Sequence, residues 1–100
     1  MTELWQRSAT ELAGLIASGD TSSSDVVDAH LRRIDEVNGR LNAITVDLAS
    51  EARVAANAAD GATGERGPLH GVPFTIKENV DQLGHATTNG LTALADAMPT

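Results

Sequence analysis

The chain contains no cysteine. Disulfides, a thiolate nucleophile, cysteine-ligated zinc and thiol redox chemistry are therefore excluded, and the composition is compatible with a reducing compartment. Positive charge is scarce as well. Seven Lys and Arg stand against 14 Asp and Glu, for a net charge of −7, and the basic residues are scattered. Nucleic acids and anionic membranes both need clustered cations that displace counterions, so neither is an expected partner. No run approaches the roughly 20 apolar residues of a membrane helix. The first residues, MTELWQRSATEL, carry acid where a secretory leader carries base, so the expected location is cytoplasmic. Large apolar side chains are few too: 16 of the hydrophobic residues are Ala, leaving 22 Leu, Ile, Val and Phe in 100 residues. A chain of this size hides only about 60–70% of its unfolded surface. Helices clad in alanine then give a thin core, and the expectation is that they pack on something larger.

What is present reads first as helices. Ser8 and Glu11 have capping-box spacing ahead of Leu12, Leu15 and Ile16, and Gly19 supplies a stop, which predicts a helix over about 9–18. Trp5 either staples onto Leu12 or covers a neighbouring segment. The run Asp20 to Ser24 is dense in capping residues, and Ser22 with Asp25 resembles a second box before Val27, Leu31 and Ile34, which predicts a helix over about 23–38 closed by Gly39. Arg32 and Arg33 with Asp28, Asp35 and Glu36 read as a solvated face with helical ion pairs. His30 lies on the apolar side without a second ligand at helical spacing, as a satisfied core histidine does. LNAITV is β-prone and predicts a strand over about 42–46, and the Ala-rich run that follows predicts a helix over about 48–59. GATGERG at 61–67 is a loop; it lacks the Lys-Ser or Lys-Thr of a phosphate cradle. A last brief helix is expected over 91–97, before Pro99.

The remaining stretch, Gly67 to Gly90, reads GPLHGVPFTIKENVDQLGHATTNG. Val72, Phe74 and Ile76 alternate as in a half-buried strand over about 72–77, which ends in Lys77. The ordinary reading of such a lysine is a stem along apolar surface with its ammonium in water. Local conflicts of this kind also concentrate at functional sites. His70 and His85 read as loop residues, and Asn79, Thr87 and Thr88 as turn chemistry or as support for the lysine.

GPLHGVPFTIKEN followed by GHATTNG resembles the lysine-bearing region of the amidase signature family of serine hydrolases. The pattern before it, with LRRIDEVNGRLNAITV and an Ala-rich helix, is similar to the family's N-terminal region but less specific. The resemblance implies an α/β fold: one domain with a mixed sheet covered by helices, of which residues 1–66 would be a mainly helical part and 67–90 the lysine strand and its loops. It implies amide hydrolysis through a Ser, a second Ser held by a cis peptide, and a Lys, which by motif is Lys77. No cofactor and no metal are implied. The implied partners are a small-molecule linear amide and the remainder of the domain, with room for a homodimer of the whole enzyme. Two departures stand out: Glu78 where many relatives have Asp, and Leu91 where many have a small residue after the turn.

In such a relay the lysine takes a proton from the nucleophile and returns it to the departing amine, which only a neutral amine can do. Desolvation favours the neutral form of a lysine and nearby carboxylates oppose it. Of the serines present, none sits in a glycine-rich turn beside backbone donors. The expectation is therefore an N-terminal piece of a longer enzyme, inactive alone. Two rival readings remain open: a noncatalytic interaction module docking through its alanine faces, and the amidase-fold component of a glutamine-dependent amidotransferase.

Overall fold

A computed structural model describes residues 2–77, 80 and 82–84. A single 3-10 turn over Leu4–Gln6 leads into three helices, α1 (Ala9–Ser18), α2 (Ser23–Leu41) and α3 (Ala49–Gly61).

The capping box ahead of α1 forms. Ser8 Oγ accepts from the Glu11 N–H at 3.1 Å and a Glu11 carboxylate oxygen accepts from the Ser8 N–H at 3.2 Å. Each satisfies a donor that the first turn cannot pair internally. Gly19 ends the helix at φ 82°, and its N–H reaches Ile16 O, so the glycine stop falls at the expected position. Ser22 caps α2 by accepting from the Asp25 N–H at 3.1 Å, one half of the expected second box; the return bond from the Ser22 N–H to the Asp25 carboxylate does not form.

α2 runs past Gly39 to Leu41. The helix stops at Asn42, which takes the left-handed conformation at φ 50° and donates its N–H to the Asn38 carbonyl. Asn tolerates that region because its short polar side chain bonds locally.

The strand expected over 42–46 is absent; the segment is irregular. The Asn38 side chain explains why. Its amide nitrogen donates to Ile44 O at 3.0 Å and its oxygen accepts from Ile44 N at 2.9 Å. Both backbone groups that Ile44 would offer a neighbouring strand are already used. The strand expected over 72–77 is also absent: the run is irregular among the described residues, and the Val72 N–H is committed to Leu69 O in a turn. A mixed sheet is therefore not part of the architecture of the described residues, which is helical. The helix expected over 91–97 lies outside them.

The core is as thin as the composition implies. Among the described residues Leu12 and Ile16 of α1 and Val26 of α2 form the buried cluster, with Leu4 and Val72 packed against it. Leu4, rather than Trp5, is thus the residue that closes this end of the core. Trp5 instead lies under the Arg33 guanidinium, 4.3 Å from ring centroid to carbon, a cation–π contact. α3 lies against α2, where Val27 and Ala56 are both buried. The small Ala56 lets the two backbones approach. Arg53 bridges the same helices at 3.0 Å to Asp28, which Arg32 also reaches at 3.1 Å. Arg33 pairs with Glu36 at 3.0 Å, so the charged face carries the ion pairs that its spacing implied. Such exposed pairs contribute little each. His30 is half-buried and satisfied within its own helix, with Nδ1 at 2.7 Å from Val26 O.

Candidate active site

The segment that leads to Lys77 is held at the place where α2 begins and α3 ends. Leaving α3, the chain makes two overlapping turns: the His70 N–H donates to Gly67 O and the Val72 N–H to Leu69 O, each at 3.1 Å. Gly71 sits at φ +81°, where a side chain is strained. A Cβ there would meet Ser23 Cβ at 3.1 Å, Ser23 Oγ at 3.3 Å and Ile16 Cδ1 at 3.4 Å. Gly71 is therefore required twice over, by its backbone angle and by close approach to the first turn of α2.

That approach is bonded. Ser23 is buried and its hydroxyl donates to Gly71 O at 2.6 Å. On the other side, His70 Nε2 lies 2.8 Å from Ala59 O in the last turn of α3. A carbonyl can only accept, so this nitrogen carries the ring proton. The Ala59 carbonyl also accepts from the Ala62 N–H at 3.3 Å, so the imidazole is its second donor at the helix C-terminus.

Asp60 ties the two helix ends together. One carboxylate oxygen accepts from the Ser23 N–H at 2.7 Å, and the other accepts from the Ser24 N–H at 2.9 Å and the Ser24 hydroxyl at 2.7 Å. This is an N-terminal cap delivered from another helix, and the negative charge faces the positive end of the α2 dipole. Desolvation pushes the Asp60 carboxyl up, but the Ser24 hydroxyl, the Ser24 and Ser23 N–H groups and Arg66 together pull harder. The group ends below the ordinary carboxylate range.

From this anchor the chain runs through Pro73 to Lys77. Val72 is half-buried on the core, but the alternation expected beyond it does not continue inward: Phe74 is 82% exposed and Ile76 44%. Lys77 is itself exposed, and its carbonyl accepts from the Val80 N–H at 3.0 Å. The dry setting that a proton-accepting lysine needs is not supplied by the described residues. Glu78, Asn79, Asp81, His85, Thr87, Thr88 and Leu91 lie outside them.

Among the described residues no group of three or more His, Asp or Glu side chains could hold a metal ion. No helix among them is long and apolar enough to cross a membrane.

The motif in the sequence points to Lys77 and contains His70 and Gly71 without showing what they bond, and it does not reach Ser23 or Asp60. Ser23 sits in a run of three serines that are equivalent as capping residues, and His70 reads as an ordinary loop histidine. Only the glycine of the Gly-Val-Pro turn carried a local signal.

The family model described as Amidase matches residues 25–100. An indoleacetamide hydrolase of Bradyrhizobium diazoefficiens is 52% identical over 93% of this chain and 18% of its own length. An acylamidase of Rhodococcus erythropolis is 42% identical over 93% of this chain and 20% of its own length. A glutamyl-tRNA(Gln) amidotransferase component of Salinispora arenicola is 40% identical over 99% of this chain and 21% of its own length. The chain thus spans about a fifth of the length of the curated relatives it matches.

Proposed function

Because the chain belongs to the amidase family, we propose that the protein carrying this sequence hydrolyses the C–N bond of a linear carboxamide, giving a carboxylate and ammonia or an amine. The observation that carries the reading is the family match across 25–100, which includes the whole GPLHGVPFTIKEN run and Lys77. The 52% identity to an indoleacetamide hydrolase favours a primary amide on an apolar acyl group.

In this reading Lys77 is the proton carrier of a Ser, Ser and Lys relay. The neutral amine takes the proton of the nucleophilic serine through the second serine as the serine oxygen attacks the amide carbon. It returns a proton to the nitrogen as the C–N bond breaks, and water then releases the acyl group by the same route in reverse. The two serines belong to parts of the polypeptide outside residues 1–100, so these residues alone are catalytically silent. Those later parts also cover the exposed apolar side chains Leu69, Phe74, Ile76 and Leu83. Covering them removes water from around Lys77 and favours its neutral form, and the mixed sheet of the α/β domain is completed in the same step. A cytoplasmic location accords with this chemistry.

A second reading, the amidase-fold component of a glutamine-dependent amidotransferase, draws on the 40% identity to such a component. The two separate in one experiment on the full-length protein. Ammonia release from indole-3-acetamide by the purified protein alone, lost in Lys77→Ala, supports the hydrolase. Activity on glutamine that appears only with the other amidotransferase components supports the alternative. An unaltered turnover in Lys77→Ala removes the relay altogether.

A further inference from the structure

We infer that Ser23 is a positioning residue for Lys77: its buried hydroxyl, held at the start of α2, fixes the backbone of the segment that delivers the lysine. The inference rests on the amide-hydrolysis reading of Lys77 given above.

Ser23 is 2% exposed, so its hydroxyl has no water to bond instead, and an unpaired buried hydroxyl is costly. Its partner is the Gly71 carbonyl at 2.6 Å, a short contact for two neutral groups. Ser23 itself cannot drift. Its N–H is held by Asp60 at 2.7 Å, and its neighbour Ser24 is bonded to the same carboxylate. The Gly71 side is equally constrained, with Val72 packed on the Leu12, Ile16 and Val26 cluster and His70 tied to Ala59 O. Between Val72 and Lys77 no further tertiary hydrogen bond acts among the described residues, so within them the Ser23–Gly71 bond is the last one before the lysine. Pro73 stiffens the exit by locking its own φ and restricting Val72. A small rotation at Gly71 would therefore be carried along the chain and displace the amine further on. Proton relays are sensitive to such shifts, since a misplacement of about 1 Å costs on the order of a hundredfold in rate.

Ser22, Ser23 and Ser24 divide three tasks that the sequence does not distinguish. Ser22 caps α2, Ser24 binds Asp60, and Ser23 alone turns inward to the lysine segment.

The test uses the full-length protein, with indole-3-acetamide as the amide and with Ser23→Ala, Ser23→Thr and Lys77→Ala compared with the parent. In Ser23→Ala, kcat falls by about 10- to 100-fold while KM stays within about twofold. Hydrogen exchange at the amides of residues 72–77 speeds up by about tenfold while the interior of α1 keeps its protection. Ser23→Thr keeps the hydroxyl and recovers most of both losses. Unchanged kcat in Ser23→Ala, a loss expressed in KM, or a loss of kcat without faster exchange at 72–77 each overturns the inference. A dead Lys77→Ala beside an unaltered Ser23→Ala overturns the positioning role alone; full turnover in Lys77→Ala overturns the role of the lysine and this inference with it.

Discussion

The hydroxyl of Ser23 and the carbonyl of Gly71 meet at 2.6 Å across 48 residues of chain. The two positions are matched in shape as well as in polarity, because the absent side chain of Gly71 is what lets the first turn of α2 come so close. Helix capping, core packing and the approach to Lys77 are therefore one structure: Asp60 caps α2, α2 presents Ser23, and Ser23 holds the turn that leads to the lysine.

Gly71→Ala is expected to lower stability by about 1–3 kcal/mol, from backbone strain added to the clash with Ser23. Gly64 offers a control. Its φ is +90° but a Cβ there meets nothing within 4 Å, so Gly64→Ala carries strain alone, about 1 kcal/mol. Urea unfolding midpoints of the two variants give the comparison, and equal losses would show that the contact with Ser23 adds nothing.

Acid should weaken the junction. The Asp60 carboxyl is held below its ordinary value of 3.8 in the folded chain, so folding favours its charged form. Its contribution is full above that ordinary value and is lost as the pH falls through the lower folded value. Because the carboxylate is largely in contact with solvent, the amount is under about 1 kcal/mol. Asp28 and Glu11 are lowered as well, Asp28 first by its hydrogen bond from Arg53 and Glu11 first by the Ser8 N–H. Their effects run in the same direction. Subtracting the pH profile of Asp60→Asn from that of the parent isolates Asp60, and two parallel profiles would count against it.

Ser8→Ala removes one half of the α1 capping box and should cost about 1 kcal/mol. The loss belongs to α1, which supplies Leu12 and Ile16 to the core, so the whole helical unit should unfold earlier. A thermal midpoint lower by about 4–8 °C is expected for a unit of this size. Ser50→Ala is the comparison that should show little change, because at the start of α3 it is Asp47, not Ser50, whose side chain accepts a backbone N–H, that of Ala49 at 2.8 Å.

Lys77→Ala should separate activity from folding. The side chain is exposed and outside the packed cluster, so the unfolding midpoint of residues 1–100 should stay within about 0.5 kcal/mol of the parent. Turnover by the full-length protein should be abolished. A variant that unfolds as well as losing activity would mean that the lysine also serves the fold.

The parts of the molecule legible in the sequence are those made of near neighbours. Ser8 with Glu11, Ser22 with Asp25 and the stop at Gly19 involve partners three or four residues apart, so spacing alone specifies them. The ion pairs along α2 followed for the same reason, whereas α3 followed from its alanine content and runs to Gly61, past the expected end at 59 and into the expected loop. The expected strands did not, because a strand exists only with a partner, and the backbone of Ile44 found the Asn38 side chain first. Gly39 looked like a stop, yet Asn42 could turn the chain with a local bond and the helix ran on to it. Lys77 is the expected proton carrier on the strength of its motif, which is contiguous. What the sequence left undetermined was which of three adjacent serines turns inward, and that an aspartate at the end of α3 caps α2. Those choices join positions 36–48 residues apart, and only the packing of α1, α2 and α3 brings them within hydrogen-bonding distance. Capping is decided by the few residues that share a turn; the seating of the lysine segment is decided by how three helices exclude water from one buried hydroxyl.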